Sequence, residues 1–220
     1  MATHAVRVNN LVRAFGDRNV LDGLDLTIAP GEFVALLGRS GSGKSTLLKA
    51  IAGLDYDVKG SGELNVPDEV AVAFQDSRLL PWLRVLDNVE LGVKPGNGRA
   101  ALAEVGLKGR EKAWPSELSG GEQQRVALAR CLVREPRVLL ADEPFGSLDA
   151  LTRIKMHDLL RELCARHRPA VLLVTHDVDE AIDLADRIVI LQDGRIGLDI
   201  PAHSADRTHL LSALGIGVAA

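Results

Sequence analysis

The chain has 220 residues and a formal net charge of −4, because 26 Lys and Arg are set against 30 Asp and Glu. No two basic residues are adjacent, so the sequence offers neither a basic surface for nucleic acid nor a polybasic membrane patch. No apolar run exceeds five residues when glycine is not counted, whereas a helix needs about 20 such residues to cross a bilayer.

The compartment is indicated by the N-terminus and by the cysteines. The first ten residues contain no charged segment followed by an apolar core, so we expect no signal peptide and a cytosolic location. Cys131 and Cys164 fit that compartment as reduced, buried thiols. Four Phe, two Trp and one Tyr make up only 3% of the chain, which predicts an aliphatic core.

The apolar pattern predicts an α/β fold. Apolar and polar residues alternate at Val6 and Val8 and again along residues 24–28, which predicts two short antiparallel strands. Five later runs are continuously apolar, as expected for strands of a largely parallel sheet covered by helices on both faces. Between two of these runs, the spacing of Met156, Leu160 and Leu163 predicts an amphipathic helix. The five runs are residues 33–37, 70–74, 138–141, 170–174 and 188–191.

Residues 76 to about 135 interrupt the alternation of strands and helices. They contain helical periodicity but no convincing strand. We interpret the segment as a helical insertion within one domain that spans residues 1–220.

Residues 38–45, Gly-Arg-Ser-Gly-Ser-Gly-Lys-Ser, match the pattern G-x-x-x-x-G-K-[ST] of a phosphate-binding loop, or P-loop. An apolar strand precedes the motif and a helical pattern follows it, which distinguishes a P-loop from a glycine-rich turn with an incidental lysine. The glycines let backbone N–H groups surround phosphate oxygens, Lys44 reaches the β- and γ-phosphates, and the Ser45 hydroxyl binds Mg²⁺. The motif therefore predicts a nucleotide site with Mg²⁺.

Two adjacent carboxylates, Asp142 and Glu143, directly follow the apolar run 138–141. By itself such a pair is more often a solvated turn, but a P-loop in the same chain requires a carboxylate at the end of a neighbouring strand. We expect Asp142 in the magnesium shell and Glu143 to orient a water for in-line attack on the γ-phosphate. The pair predicts hydrolysis as well as binding.

Residues 118–122, Leu-Ser-Gly-Gly-Glu, open a long helical pattern. Ser-Gly-Gly at a helix start is usually an N-cap, although its N–H groups and hydroxyl also form an anion site without lysine. Here the chain resembles the ATPases of ABC transporters, whose signature motif this is, over residues 5–197. The resemblance implies a P-loop NTPase fold with a parallel core sheet, a small antiparallel β subdomain and the helical insertion. Glu122 replaces the Gln of the most quoted form, and we assign it no phosphate contact.

The resemblance implies roles for further residues. Phe15 would stack on adenine, unless it is an ordinary core residue. Gln75 would meet Mg²⁺ and the attacking water, His176 would bind the γ-phosphate, and Asp149 would cross to a second copy of the protein. The other five histidines match no family position and are expected to be solvated; they are residues 4, 157, 167, 203 and 209. The expected nucleotide contacts are Phe15, Gly38, Ser40, Gly41, Gly43, Lys44, Ser45, Thr46, Ser119, Gly121 and Asp149.

In the ABC family the two anion sites have a mechanical consequence. ATP held by the P-loop of one copy is capped by Ser119 and Gly121 of another, so the resemblance implies an ATP-dependent homodimer with two composite sites. It also implies membrane permease subunits as partners, an external substrate-binding protein as an indirect partner, and a peripheral position on the cytoplasmic face of the membrane. No nucleic acid partner is expected.

An apolar segment, Leu79-Leu80-Pro81-Trp82, lies within the helical insertion. We interpret it either as a docking loop for a membrane subunit or as packing between helices. Together with its neighbours and with residues 148–153 and 197–199, it resembles the importers of nitrate, taurine and aliphatic sulfonates, and the aliphatic sulfonate branch is nearest.

Two other functions stay open at this point. The apolar segment argues against an ATPase of an efflux or lipoprotein-release system. A soluble ABC protein acting on ribosomes or DNA usually carries two ATPase cassettes or a long coiled coil, and 220 residues with a charge of −4 supply neither.

Overall fold

The computed structural model of the protein describes residues 4–216. Among these residues no helix combines the length and the apolar character needed to cross a bilayer. In chain order the strands are β1 (Val6–Phe15), β2 (Arg18–Ile28), β3 (Phe33–Gly38), β4 (Lys59–Asn65), β5 (Val70–Phe74), β6 (Val138–Asp142), β7 (Ala170–Val174), β8 (Arg187–Gln192) and β9 (Arg195–Pro201). The helices are α1 (Lys44–Ile51), α2 (Val85–Val89), α3 (Gly98–Glu104), α4 (Gly120–Leu132), α5 (Ala150–His167), α6 (Val178–Leu184) and α7 (Arg207–Ala213).

The larger sheet has six strands in the order β5-β6-β7-β3-β8-β9. Its first five strands are parallel, and β9 runs antiparallel to β8. All five continuous apolar runs are strands of this sheet, so the predicted α/β fold with a parallel core sheet is confirmed. Alternate residues of β6 enter two different apolar cores: Leu139 and Ala141 enter one, Val138 and Leu140 the other. This two-sided burial explains why the strand is continuously apolar.

One row of paired residues crosses the parallel strands. Phe74 pairs with Asp142, Asp142 with Val174, and Val174 with Leu36. Because these strands run in the same direction, the residues that follow the row leave the sheet at the same edge. The P-loop and the carboxylate pair therefore meet there.

The smaller sheet is antiparallel, with the order β2-β1-β4. It confirms the two antiparallel strands that the sequence predicts. The third strand, β4, was not predicted, because nearly all its residues are exposed and no apolar alternation marks it. Its glycines instead let the backbone of β4 approach that of β1 closely, because a Cβ on Gly60 would lie 2.0 Å from the Val12 carbonyl oxygen.

The helices α2, α3 and α4 lie between β5 and β6, together with a short 3₁₀ turn at Pro115–Glu117. Val85 and Val89 of α2 are fully buried in the core that also contains β6 and α4. Trp82 just before α2 is 69% exposed. The two interpretations of the apolar segment therefore apply to different residues: Leu79 packs against the core, and Trp82 faces solvent.

The buried residues of the cores are mainly Leu, Val, Ile and Ala, which confirms the predicted aliphatic core. Two aromatic rings, those of Phe33 and Phe145, are buried, whereas Phe15, Tyr56 and Trp82 are exposed. Most of the internal packing is therefore aliphatic, and several of the few aromatic rings are at the surface.

Both cysteines carry free thiols, as expected. Cys131 is buried and Cys164 is partly buried. Burial raises the pKa of the Cys131 thiol to about 11 and that of the Cys164 thiol to about 12, so both stay protonated at neutral pH.

The expectation that five histidines are solvated is wrong for His157 alone, because the other four are exposed. His157 is 9% exposed on the inner face of α5, and its Nε2 lies 2.8 Å from Oε1 of the buried Glu180 in α6. His167 lies near the end of α5 with its Nε2 2.7 Å from Glu104 Oε2. Residues 157 and 160 share a face of α5, so the helical period turns His157 inward, where a carboxylate completes its hydrogen bonding.

We predict that His157→Ala lowers the free energy of unfolding by about 3 kcal/mol, because it leaves the buried Glu180 carboxylate without its partner. His167→Ala on the same helix is the control and should cost about 1 kcal/mol or less, since its contact with Glu104 is more exposed to solvent. Urea denaturation at neutral pH measures both. Equal losses of unfolding free energy in the two variants would contradict a special role for the buried pair of His157 and Glu180.

Candidate functional site

The P-loop joins β3 to α1. Gly43 has φ +107°, and a Cβ there would lie 2.9 Å from the Val20 carbonyl oxygen, so the turn into α1 requires glycine. The Lys44 ammonium is buried and donates to the carbonyl oxygens of Gly38, at 2.7 Å, and Arg39, at 3.1 Å. Burial lowers the pKa of Lys44, while the neighbouring carboxylates oppose that shift. A desolvated cation beside a glycine-rich helix start is suited to bind a polyphosphate.

Asp142, at the end of β6, lies beside the P-loop. The Ser45 hydroxyl donates to Asp142 Oδ1 at 3.4 Å. Burial raises the pKa of the Asp142 carboxyl, and a cation bound beside it would lower that pKa again. A hydroxyl and a carboxylate are the hard oxygen ligands that Mg²⁺ prefers, so this pair fits the predicted metal shell.

Glu143 is held in an uncommon backbone conformation, with φ +47°. Its N–H donates to the Val174 carbonyl oxygen at 2.9 Å, which fixes the loop against β7. Its carboxylate Oε2 lies 3.0 Å from Nδ1 of His176, whose side chain is 67% exposed. The strained turn thus brings an acid and a histidine together at an accessible surface.

Gln75 follows β5 at the same edge of the sheet. Its exposed side chain passes close to the loop after Glu143, because its Nε2 lies 3.3 Å from the position that a Cβ on Gly146 would take. Its backbone carbonyl accepts a hydrogen bond from Nε2 of the buried Gln124. A hydrogen bond from Gln124 therefore holds the main chain of Gln75, while the side chain of Gln75 stays exposed.

The sequence did not reveal that α4 holds the segment after Gln75. Arg130 donates to the carbonyl oxygens of Ser77, at 2.6 Å, and Arg78, at 2.9 Å. Gln124 donates to the carbonyl oxygen of Gln75 itself. The inward position of Gln124 could have been predicted, since it stands four residues before Leu128 and so lies on the apolar face of the helix. Arg130 gave no comparable signal.

Asn88 of α2, which the sequence also did not reveal, fixes the loop around Trp82. Asn88 is fully buried, and its Oδ1 accepts from the Leu80 N–H at 2.7 Å. Its Nδ2 lies 3.1 Å from each of the carbonyl oxygens of Leu80, Leu83 and Arg84. The loop is thus held from inside while the Trp82 ring projects into solvent.

Phe15 ends β1 with 54% of its surface exposed, so it is not a core residue. It pairs across the turn with Arg18, which lines a cleft of about 510 Å³ together with Ser40 and Gly41 of the P-loop. An accessible aromatic ring therefore stands near the outer side of the P-loop.

The signature residues belong to a second group, at the starts of α4 and α5. Ser119 caps α4, its hydroxyl accepting from the Glu122 N–H at 3.3 Å. Asp149 caps α5 by accepting from the Thr152 N–H at 3.0 Å. Hydrogen bonding from the side chain of Thr152, and then from its backbone, lowers the pKa of Asp149. The two helix starts touch, because a Cβ on Gly121 would lie 2.6 Å from Thr152 Cγ2.

The P-loop and the signature residues line different clefts. Ser119, Gly121 and Thr152 line a cleft of about 430 Å³ whose lining includes no residue of the P-loop and neither Asp142 nor Glu143. Thr46 is half-buried on α1, with the first group. Within the described part of the chain, we call the P-loop with its neighbouring carboxylates one half-site, and Ser119 with Gly121 the other. Gln75 borders both, because it lines a further cleft together with Gly120 of the signature.

Comparison with known proteins agrees with these motifs. The sequence model of the ABC transporter family matches residues 21–146. The chain belongs to the ABC transporter family. The aliphatic sulfonates import ATP-binding protein SsuB 2 of Rhodococcus jostii is 69% identical to this ABC ATPase, over 98% of this chain and 95% of the relative. The protein of the same name from Nocardia farcinica is 68% identical, over 98% and 96% of the two chains.

Solved structures of ABC cassettes confirm the fold of the ABC ATPase. The dimeric structure of the bacterial ABC transporter cassette MJ0796 has a TM-score of 0.77 and 32% identity, and covers 90% of this chain and 98% of that one. CbiO1 from Clostridium perfringens, part of the cbiONQ complex, has a TM-score of 0.82 and 25% identity, with 96% and 91% covered. A further MJ0796 structure is a post-hydrolysis state bound to ADP and Pi. This chain is thus an ATP-binding subunit with ATPase activity.

We predict opposite effects of alanine at the two signature glycines. Gly121→Ala should lower the free energy of unfolding by about 1 kcal/mol or more, because the new methyl group would overlap the Thr152 methyl group. Gly120→Ala, with open space around it, should be neutral or stabilising by about 0.5 kcal/mol through helix propensity.

Denaturant unfolding without nucleotide measures both variants of the signature. Adding Thr152→Ser should recover much of the loss in Gly121→Ala, since it removes the overlapping methyl group. Equal stability of the two alanine variants would show that the helix starts are not in close contact.

Proposed function

We propose that this ABC ATPase energises a binding-protein-dependent importer of aliphatic sulfonates. The import assignment is supported by relatives at 69% and 68% identity, which cover nearly the whole chain and are named aliphatic sulfonates import ATP-binding proteins. Further relatives, at 58% to 70% identity, carry the same name. Taurine or nitrate import and lipoprotein release have less support.

ATP hydrolysis is proposed to occur at sites shared by two copies of the chain. The observation that carries this proposal is the separation of the two half-sites: the P-loop lines one cleft, and Ser119 and Gly121 line another. A γ-phosphate bound in the P-loop of one copy would reach the signature residues of a second copy. The dimeric structure of the similar cassette MJ0796 supports this arrangement.

ATP would bind with its adenine on the exposed Phe15 ring and its phosphates in the P-loop. The Lys44 ammonium would leave its own loop carbonyls and donate to the β- and γ-phosphates, a stronger charge-assisted interaction. Mg²⁺, held by Ser45, Asp142 and Gln75, would neutralise phosphate charge. The remaining P-loop contacts are Gly38, Ser40, Gly41, Gly43 and Thr46.

Hydrolysis begins when a water attacks the γ-phosphorus in line with the bond to the β–γ bridging oxygen, which breaks to release ADP. Glu143 orients this water and accepts its proton. His176 would donate to a γ-phosphate oxygen, a role supported by its position 3.0 Å from the Glu143 carboxylate. On the second copy, the Ser119 hydroxyl donates to the same phosphate and Asp149 crosses at the dimer interface. Loss of phosphate removes these contacts and opens the dimer.

The loop around Trp82 is the proposed contact for the permease. Trp82 is 69% exposed on a loop that the buried Asn88 holds rigidly, so docking would cost little ordering entropy. The helical segment 76–135, as a subdomain inserted in the single domain 1–220, would carry this loop on the cytoplasmic face of the membrane. The substrate-binding protein would act indirectly through the permease, and no nucleic acid is involved.

We predict that Glu143→Gln binds ATP but turns over at most about 1% as fast as the parent, because an amide cannot accept the proton of the attacking water. With ATP it should accumulate as a dimer. Size-exclusion chromatography with and without ATP, and phosphate release, measure the two effects. Turnover equal to that of the parent would remove Glu143 from the catalytic role.

We predict that deleting the gene abolishes growth on alkanesulfonates as the sole sulfur source, because the permease would have no ATPase. Growth on sulfate is the control and should be unchanged. A strain that lost growth only with taurine or nitrate would move the protein to another importer branch.

Trp82→Ala tests the docking surface in the same deletion strain. The variant should keep ATP binding and basal hydrolysis, because Trp82 lies outside both half-sites, but it should restore growth poorly. A matched substitution at another exposed aromatic residue, Tyr56→Ala, controls for the loss of a surface ring. Full restoration by Trp82→Ala would contradict the docking assignment.

A further inference from the structure

Glu122, the residue that departs from the most quoted signature motif, is bound on both sides of its carboxylate. Oε2 accepts from the Ser119 N–H at 2.9 Å and from the Ser119 hydroxyl at 3.0 Å. Oε1 accepts from Arg110 Nη2 at 2.8 Å and Nε at 3.2 Å. The side chain of Glu122 is 19% exposed and that of Arg110 is 44% exposed. Arg110 and Ser119 therefore share one carboxylate.

This carboxylate stands where negative charge is unfavourable for the proposed activity. Glu122 lines the same cleft as Ser119 and Gly121, the two residues proposed to receive the γ-phosphate of a second copy. The hydrogen bonds of Arg110 are the largest cause that lowers the pKa of Glu122, to about 2, so the group is ionised at neutral pH. An ionised carboxylate next to a phosphate would repel it unless a cation compensates.

We propose that Arg110 is a positioning residue that neutralises Glu122 and thereby lets the signature of this chain accept the γ-phosphate of a second copy. The inference rests on the proposed dimeric function. When the Ser119 hydroxyl turns from Glu122 to the phosphate, the carboxylate keeps the Ser119 N–H and Arg110 as partners. Arg110 thus offsets the repulsion between the Glu122 carboxylate and the phosphate, and Glu122 keeps its hydrogen bond to the Ser119 N–H at the start of α4.

The backbone holds Arg110 in place for this role. Its N–H donates to the Leu107 carbonyl oxygen at 3.1 Å, and its carbonyl accepts from the Ala113 N–H at 3.0 Å. The same loop is hydrogen-bonded to α2, since the Val85 N–H donates to the Ala113 carbonyl oxygen at 3.0 Å. Arg110 therefore occupies a fixed loop beside the start of α4.

The test uses full-length protein with Glu143→Gln, so that ATP is bound without turnover. Sedimentation with saturating ATP measures dimerisation, and titration at low protein concentration measures the ATP affinity of the monomer. Arg110→Gln should weaken ATP-dependent dimerisation at least about tenfold through uncompensated repulsion. The ATP affinity of the monomer should be unchanged, because the P-loop is not altered.

Removing the negative charge should rescue the defect. Arg110→Gln combined with Glu122→Gln should dimerise within about threefold of the parent, since a neutral amide needs no compensating cation. The defect of Arg110→Gln should also shrink at high salt, which screens the repulsion of exposed charges. Lys108→Gln, which removes an exposed positive charge from the same loop, is the control and should change dimerisation less than about threefold.

The outcomes separate this inference from the proposed function. Failure of the Glu143→Gln parent to dimerise with ATP overturns both. A parent that dimerises while Arg110→Gln dimerises equally well overturns the role of Arg110 alone. So does a defect that Glu122→Gln leaves unchanged, because a purely structural loss in the loop would not depend on the charge of Glu122.

Discussion

The register of the parallel sheet is the constraint on which the nucleotide half-site depends. Phe74, Asp142, Val174 and Leu36 form one row across four parallel strands, so the segments that follow them leave the same edge. The P-loop, the two carboxylates, Gln75 and His176 are gathered by this alignment although they come from distant parts of the chain. A shift of the pairing register of β6 by one residue would turn the Asp142 side chain to the opposite face of the sheet, away from the P-loop.

The helix α4 connects the nucleotide chemistry with the surface proposed for the permease. Its first turn presents Ser119, while its middle holds the carbonyls after β5 through Gln124 and Arg130. The loop around Trp82 continues from that segment and is held by Asn88. A displacement of this loop would therefore act on the segment beside Gln75 and, through α4, on the signature at the start of that helix.

The elements that the sequence predicted correctly are those whose cause is local. A strand buried on both faces must be continuously apolar, and a loop that surrounds phosphate must be rich in glycine, so residues 33–45 could be interpreted without neighbours. The resemblance to ABC ATPases added roles for Gln75 and His176, which pattern alone would leave as surface residues. The edge strand β4 was missed because nearly all its residues are exposed, so no apolar alternation marks it.

By itself, therefore, the sequence determined the fold class, the family and the two anion-binding motifs. Only the tertiary structure decided that the motifs lie in separate clefts, that His157 is buried against Glu180, and that Arg110 shares a carboxylate with Ser119. The physical reason is that a hydrogen bond between side chains on different elements depends on where those elements pack. Hydrophobic periodicity predicts which face of an element is buried, but it does not predict which polar side chain of a neighbouring element that face will contact.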